Sequence, residues 1–169
     1  MTVKPDWSAR TPVKPPNLPA GMLSPNFALA EFLESDTATR RGIRNIPSPL
    51  VLARLRNTAA GMEQVRQILS RAAGKSIPII ITSGFRNKLL NVAVGGSPTS
   101  DHMRGDSADF RAPEFGTPIQ ICHALVNAGL KVDQLIEEGT WVHVSFGPRM
   151  RQQVLTMRNG KYFVGLRPI

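Results

Sequence analysis

The stretch Ser100-Asp101-His102-Met103-Arg104-Gly105-Asp106-Ser107-Ala108-Asp109-Phe110 sets a histidine and a carboxylate seven residues apart. A second histidine follows in Trp141-Val142-His143-Val144-Ser145. Two imidazoles and one carboxylate can hold a zinc ion with one position left open for water, the arrangement of a catalytic rather than a structural site. Spacing alone is a weak signal, because a lone histidine on a strand is more often a hydrogen-bonded surface residue. Cys122 is the only cysteine, which excludes an intramolecular disulfide and a multi-thiolate site; any metal is expected on His and carboxylate. Cys122 itself falls in a helical apolar pattern and reads as a small core residue. His123, its neighbour, reads as structural.

Strand alternation supplies an independent argument that the three groups converge. From Ser107 to Arg111, Ala108 and Phe110 point one way while Ser107, Asp109 and Arg111 point the other. From Val142 to Phe146, Val142, Val144 and Phe146 point one way while His143 and Ser145 point the other. In both segments the candidate ligand lies opposite the apolar face. If the strands are neighbours, Asp109 and His143 share one polar face, and His102 closes over it from its loop.

Other elements must position these strands. Ser48-Pro49 is a helix start, with Leu52, Leu55, Ala59, Met62, Val65, Ile68 and Ala72 at three- and four-residue steps and Gly74 as the stop. This helix is expected to back a sheet. Ile77-Pro78-Ile79-Ile80-Ile81-Thr82 reads as a buried strand with Pro78 near its first residue. It leads into Ser83-Gly84-Phe85-Arg86, and a turn-rich loop through Gly95-Gly96-Ser97-Pro98-Thr99 delivers the chain to His102. Thr117-Pro118 opens a second helix with Ile119, Cys122, Leu125 and Val126 on its apolar stripe, ending at Gly129. Leu135 to Glu138 and Trp141 to Phe146 read as paired strands around Gly139-Thr140. The tail reads as a hairpin, Val154 to Met157 and Tyr162 to Val164, turning at Asn159-Gly160. Near the start, Phe27 to Leu33 reads as a short helical segment. Residues 1–21, with five prolines before residue 20, read as an extended arm, leaving 22–169 as one domain.

Composition bounds the partners. The 169 residues suit one domain with a sizeable core. No apolar run approaches the ~20 residues of a membrane helix, and no secretory signal is readable at the start. A net charge of +9 favours polyanionic partners, or is simply a solvated basic face. Basic residues are scattered and aromatics make up only 6%, which fits no stacking platform for single strands, so nucleic acid is not the expected partner.

Three ordered motifs then carry a family resemblance. Ser83-Gly84-Phe85-Arg86, the set Ser100, His102, Gly105, Ser107, Asp109 and Phe110, and Trp141-Val142-His143 resemble the zinc D-Ala-D-Ala peptidase family, with its peptidoglycan peptidases and phage endolysins as the nearest likeness. Phe27 to Phe32 and Ser35 to Arg40 are similar to the N-terminal segment of those proteins. The resemblance spans roughly residues 22–150. It implies that His102, Asp109 and His143 are zinc ligands and that the fold is α+β, hedgehog/DD-peptidase-like, with a small antiparallel sheet carrying the site and helices behind it. It implies stem peptides of bacterial peptidoglycan as substrate, and a monomer acting on the wall, made without a readable signal peptide and freed by holin-type release.

Two departures bear on the chemistry. Ser107 stands where alanine is usual. Thr140 stands where many relatives carry an acidic base, so the base must come from Glu137 or Glu138. A two-residue turn at Gly139-Thr140 puts Glu138 on the face of His143; a three-residue turn puts Glu137 there. Glycine at the first corner favours the two-residue turn and Glu138, at the cost of placing Ile136 on the same polar face. Arg86, whose planar fork suits carboxylate or carbonyl oxygens, is the candidate substrate-binding residue. Ser100, Asp101, Asp133 and Gln134 are candidates for supporting the site. Two other readings stay open: a non-catalytic wall-binding or assembly module that keeps the fold, favoured by Thr140, and a zinc nuclease or nucleic-acid binder suggested by charge alone.

Overall fold

The computed structural model describes residues 18–167. The arm expected over residues 1–21 lies outside the described residues as far as residue 17.

The longest helix follows its end signals. Ser48 accepts a hydrogen bond from the Val51 amide, Pro49 opens the helix, and Gly74 closes it, giving Pro49–Ala73. Its apolar stripe buries Leu55, Ala59, Met62, Val65 and Leu69 completely. The stripe drifts from the expected one at its end, where Leu69 takes the core position and Ala72 is exposed, because the helix turns 3.6 residues per turn.

We number the elements in chain order. β1 (Met22–Ser24) and β2 (Phe27–Ala28) pair antiparallel, so the segment read as helical from Phe27 begins as a strand; α1 is Leu29–Leu33 and α2 is Asp36–Arg41. The long helix is α3. β3 (Ile80–Ser83), α4 (Lys88–Ala93), a 3-10 turn (Asp101–Arg104) and β4 (Ser107–Arg111) follow. Then come α5 (Pro118–Asn127), β5 (Gln134–Glu137), β6 (Val142–Ser145), β7 (Gln153–Arg158) and β8 (Lys161–Val164). α4 interrupts the loop read between Arg86 and His102; Asn87 caps it by accepting from the Leu90 amide.

Strands 3 to 8 form one sheet in the order β3-β4-β6-β5-β7-β8. Every pairing is antiparallel except β5 with β7. The architecture is α+β, but the sheet that carries the site is six-stranded and mixed, where a small antiparallel one was expected. The small antiparallel sheet is β1–β2, and it packs on α3. The difference arises because the chain after β6 crosses the start of β5, with Gln152 donating to the Val132 carbonyl at 3.0 Å, and then runs alongside β5 in the same direction.

β3 is not the buried strand expected from its isoleucines. Among the described residues it pairs only with β4, at the sheet edge, and Ile80 is 44% exposed. Ile77, just before it, is the fully buried member. On α5 the buried stripe is Ile121, Cys122 and Leu125, while Val126 is exposed. Burial pushes the Cys122 thiol up to about 12, as its reading as a core residue requires. α3, α5, β1 and the inner faces of β4, β5 and β6 share one core that includes Phe110, Leu135, Val142 and Val144. That core fixes the opposite face of β4 and β6, where the candidate ligands stand.

Candidate metal centre

In the register of β4 on β6, Ala108 faces Val144, Asp109 faces His143 and Phe110 faces Val142. Because side chains alternate, the apolar pairs enter the core and Asp109 and His143 emerge together on the other side. The 3-10 turn brings the third group. Ser100 caps it by accepting from the His102 amide at 3.3 Å, and Thr58 of α3 donates to the Gly105 carbonyl at 2.7 Å. His102 is 2% exposed.

The donor atoms meet. His102 Nε2 lies 3.2 Å from Asp109 Oδ1 and 3.2 Å from His143 Nδ1, and His143 Nδ1 lies 2.8 Å from Asp109 Oδ1. The other ring nitrogen of His102, Nδ1, lies 2.6 Å from the Gly84 carbonyl, which can only accept. Nδ1 therefore carries the proton. Burial lowers the His102 pKa and outweighs the pull of Asp109, so the ring is neutral and Nε2 presents a lone pair. Burial raises the Asp109 pKa, but the adjacent His102 and His143 rings, whose charge and hydrogen bonds favour the carboxylate whenever they carry the proton, pull it well below the usual carboxylate range.

These facts test the fit of a divalent cation. His102 Nε2 and Asp109 Oδ1 are two acceptors in contact in a buried place, and such contacts repel without a cation or proton between them. A single proton on His143 Nδ1 can bridge only one of the three contacts. Nitrogen, nitrogen and oxygen at these separations approach the edge of about 3.3 Å that a tetrahedron with metal–ligand distances of about 2.0–2.1 Å requires. His102, Asp109 and His143 together form a group that can hold a metal ion.

Gly84 is what lets His102 sit there. A Cβ on it would lie 2.5 Å from the Phe32 carbonyl oxygen of α1, and the next amide, Phe85, donates to that oxygen at 2.7 Å. Gly84→Ala is expected to cost about 1–3 kcal/mol of stability by overpacking. Moving the carbonyl that orients His102 should also weaken any metal binding at the cluster about 10–100-fold. Thermal melting and a zinc titration of the variant measure the two effects.

The cluster opens into a cavity of about 650 Å³. Arg86, Glu138, Trp141 and Gln134 line it, and so does Ile136, which faces His143 across the strands. Arg86 Nη1 is 3.9 Å from Asp109 Oδ2 and donates to Ser83 Oγ at 3.2 Å. Burial lowers its pKa, against the pull of Asp109 and Glu138. The Gly139-Thr140 turn is the two-residue one: the Glu138 backbone amide donates to the Trp141 carbonyl at 3.1 Å, and Gly139 has φ 82°. Glu138 thereby reaches the cavity, where burial and the nearby Asp109 raise its pKa. Glu137 points the other way, fully buried and paired with Arg158.

Ser100 and Asp101 flank His102 as expected. Asp101 accepts from Ser145 Oγ at 2.7 Å and from Arg149. Asp133 is buried beneath Arg151, which grips it with two bonds of 2.8 and 2.7 Å, and these hold its pKa down to about 2. Above the ordinary value of 3.8 this contribution to stability is fully present, and it is lost as the pH falls toward 2. Asp133→Asn should cost about 1–3 kcal/mol at neutral pH. Chemical denaturation of both proteins should show the difference narrowing as the pH is lowered from about 5.

Several cavity residues had no signal in the sequence: Arg149, Arg151, Gln153, Leu155 and Tyr162. They reach the site through the parallel pairing of β7 with β5, which no local pattern announces. His123 is exposed on α5 and far from this chemistry in role, sharing no part in the cluster.

No curated protein sequence matches the chain. A family model described as peptidase M15 matches residues 25–145, a span that holds all three cluster residues, Arg86 and Glu138. With a match over most of its length, the chain belongs to the peptidase M15 family, the zinc D-Ala-D-Ala carboxypeptidase-like metallopeptidases.

Proposed function

We propose that this protein is a zinc peptidase that hydrolyses stem peptides of bacterial peptidoglycan, of the endolysin type, with residues 22–169 as its hedgehog/DD-peptidase-like domain. The observation that carries the reading is the convergence of His102, Asp109 and His143 within 4.8 Å of one another, at the floor of a cavity that also receives Glu138 and Arg86.

His102, Asp109 and His143 would hold the ion. Zinc bound by such a set lowers the pKa of its water toward ~7 and polarises a carbonyl. The remaining work belongs to the chain. Glu138, with its pKa raised by burial and by Asp109, is suited to take a proton on its carboxylate and return it to the leaving amine. Arg86, held by Ser83 and by its approach to Asp109, presents a fixed guanidinium to a substrate carboxylate or carbonyl. The net charge of +9 favours residence near an anionic wall.

Thr140, standing at the position where relatives often carry an acid, favours a second reading, a wall-binding module without catalysis. One experiment separates them. Purified peptidoglycan is digested with the zinc-loaded protein and its products are read by mass spectrometry. New peptide termini that vanish with a chelator support the peptidase and name the bond cut; binding without any released peptide supports the module.

A further inference from the structure

The segment after residue 145 lies beyond the family match, yet it builds one wall of the cavity. The strand order places β3, which leads to Arg86, and β5, which begins after Asp133, on opposite sides of the β4–β6 pair that carries Asp109 and His143. On the β5 side stand Arg149 and Arg151. Their anchorage is unusually complete. Asp133, with no exposure, accepts from Arg151 Nε at 2.8 Å, Arg151 Nη2 at 2.7 Å, the Arg151 amide at 3.1 Å and Arg149 Nη2 at 3.1 Å. Arg149 Nη2 also reaches both oxygens of Asp101, at 3.3 and 3.4 Å. The backbone on either side of Arg151 is bent to permit this, with Met150 at φ 44° and Gln152 at φ 55°, left-handed conformations that non-glycine residues seldom adopt.

Two features say that the arrangement does more than close a loop. First, among the described residues the ion-pair network is not neutral. There Arg54, Arg104, Arg149 and Arg151 share three carboxylates, Asp101, Asp106 and Asp133, which leaves one positive charge over. Second, each arginine is held by part of its fork only. Among the described residues, Nε and Nη1 of Arg149 and Nη1 of Arg151 make no hydrogen bond, while the side chains are 52% and 37% exposed and line the cavity. A guanidinium fixed by a buried carboxylate and still offering N–H donors loses little rotamer freedom when an anion arrives.

We infer that Arg149 and Arg151 form a second carboxylate-binding subsite, across the metal cluster from Arg86, that selects stem peptides by a free carboxylate. The inference rests on the peptidase reading and adds a specificity element to it. Stem peptides offer two candidates, the α-carboxylate of a D-glutamyl residue and the side-chain carboxylate of a diaminopimelyl residue, and either is commonly replaced by an amide.

The test uses two pairs of synthetic stem peptides, each pair differing only in one of these carboxylates against its carboxamide. The full zinc-loaded protein is compared with Arg149→Gln, Arg151→Gln and Arg149→Lys. For one pair, the wild type should prefer the carboxylate, and the acid-to-amide ratio of kcat/KM should fall about ten- to hundredfold in each Gln variant through KM. Arg149→Lys should recover part of the ratio. A merely structural pair of arginines would lower the rate on acid and amide alike and leave the ratio unchanged, which overturns the inference, as does a wild type with no preference in either pair. If the wild type cleaves none of the four peptides, the peptidase reading fails by itself. Calorimetric binding of the uncleaved peptides then decides the subsite: carboxylate preference lost in the Gln variants upholds it, and equal affinity for acid and amide overturns it.

Discussion

His143→Ala is expected to lose both zinc and peptidase activity while keeping its fold. His143 is one of three donors, and its Nδ1 lies 2.8 Å from Asp109 Oδ1 and 3.2 Å from His102 Nε2, so its removal leaves two protein ligands where three met. The fold should survive, because Val142 and Val144, on the other face of β6, make the core contacts and the backbone ladder to β4 and β5 is untouched. Circular dichroism should match the wild type, bound zinc should fall from one equivalent to none, and hydrolysis should fall to background. Full activity in this variant would remove His143 from the centre.

The second large effect is expected at Glu138. Glu138→Gln keeps the size of the side chain and removes the proton carrier, so kcat should fall about 10²–10⁴-fold with zinc content unchanged. Glu137 provides the internal control. It is fully buried on the opposite face, paired with Arg158, and its side chain accepts from the Gly139 amide at 2.8 Å. Glu137→Gln should therefore lower stability by about 1–3 kcal/mol and leave the turnover of the folded enzyme near that of the wild type. The reverse pattern would exchange the two roles.

The contrast between these neighbours shows what the sequence makes legible. Period-two alternation alone assigns the faces of β4 and β6, since a strand can bury Ala108 and Phe110, or Val142 and Val144, only by turning Asp109 and His143 the other way. A glycine at the first corner of the 139–140 turn favours Glu138 over Glu137 for that face, with Ile136 beside it, and the register of β5 on β6 places them so. Helix ends were equally plain: Ser48-Pro49 and Gly74 mark α3 within a residue.

What stayed hidden depends on long-range pairing. The isoleucines before Ser83 are equally compatible with a central and an edge strand, and only the strand order, which among the described residues ends at β3, decides for the edge. The tail hairpin was visible in Asn159-Gly160, but nothing in residues 146–165 tells that β7 will lie parallel to β5. That pairing sets Gln153 beside Gln134 and Leu155 beside Ile136, and it brings Arg149 and Arg151 onto the cavity. Asp133 was legible only as a candidate; the four bonds it accepts from the two arginines are tertiary facts.

The central claim is that His102, Asp109 and His143 share one ion, and zinc-edge X-ray absorption on the stoichiometrically loaded protein addresses it most directly. We expect one zinc per chain with two imidazole nitrogens and oxygen in the remaining positions at about 2.0–2.1 Å, a spectrum that changes on His102→Ala. Zinc bound with a single imidazole, or a spectrum indifferent to His102, would contradict the assignment.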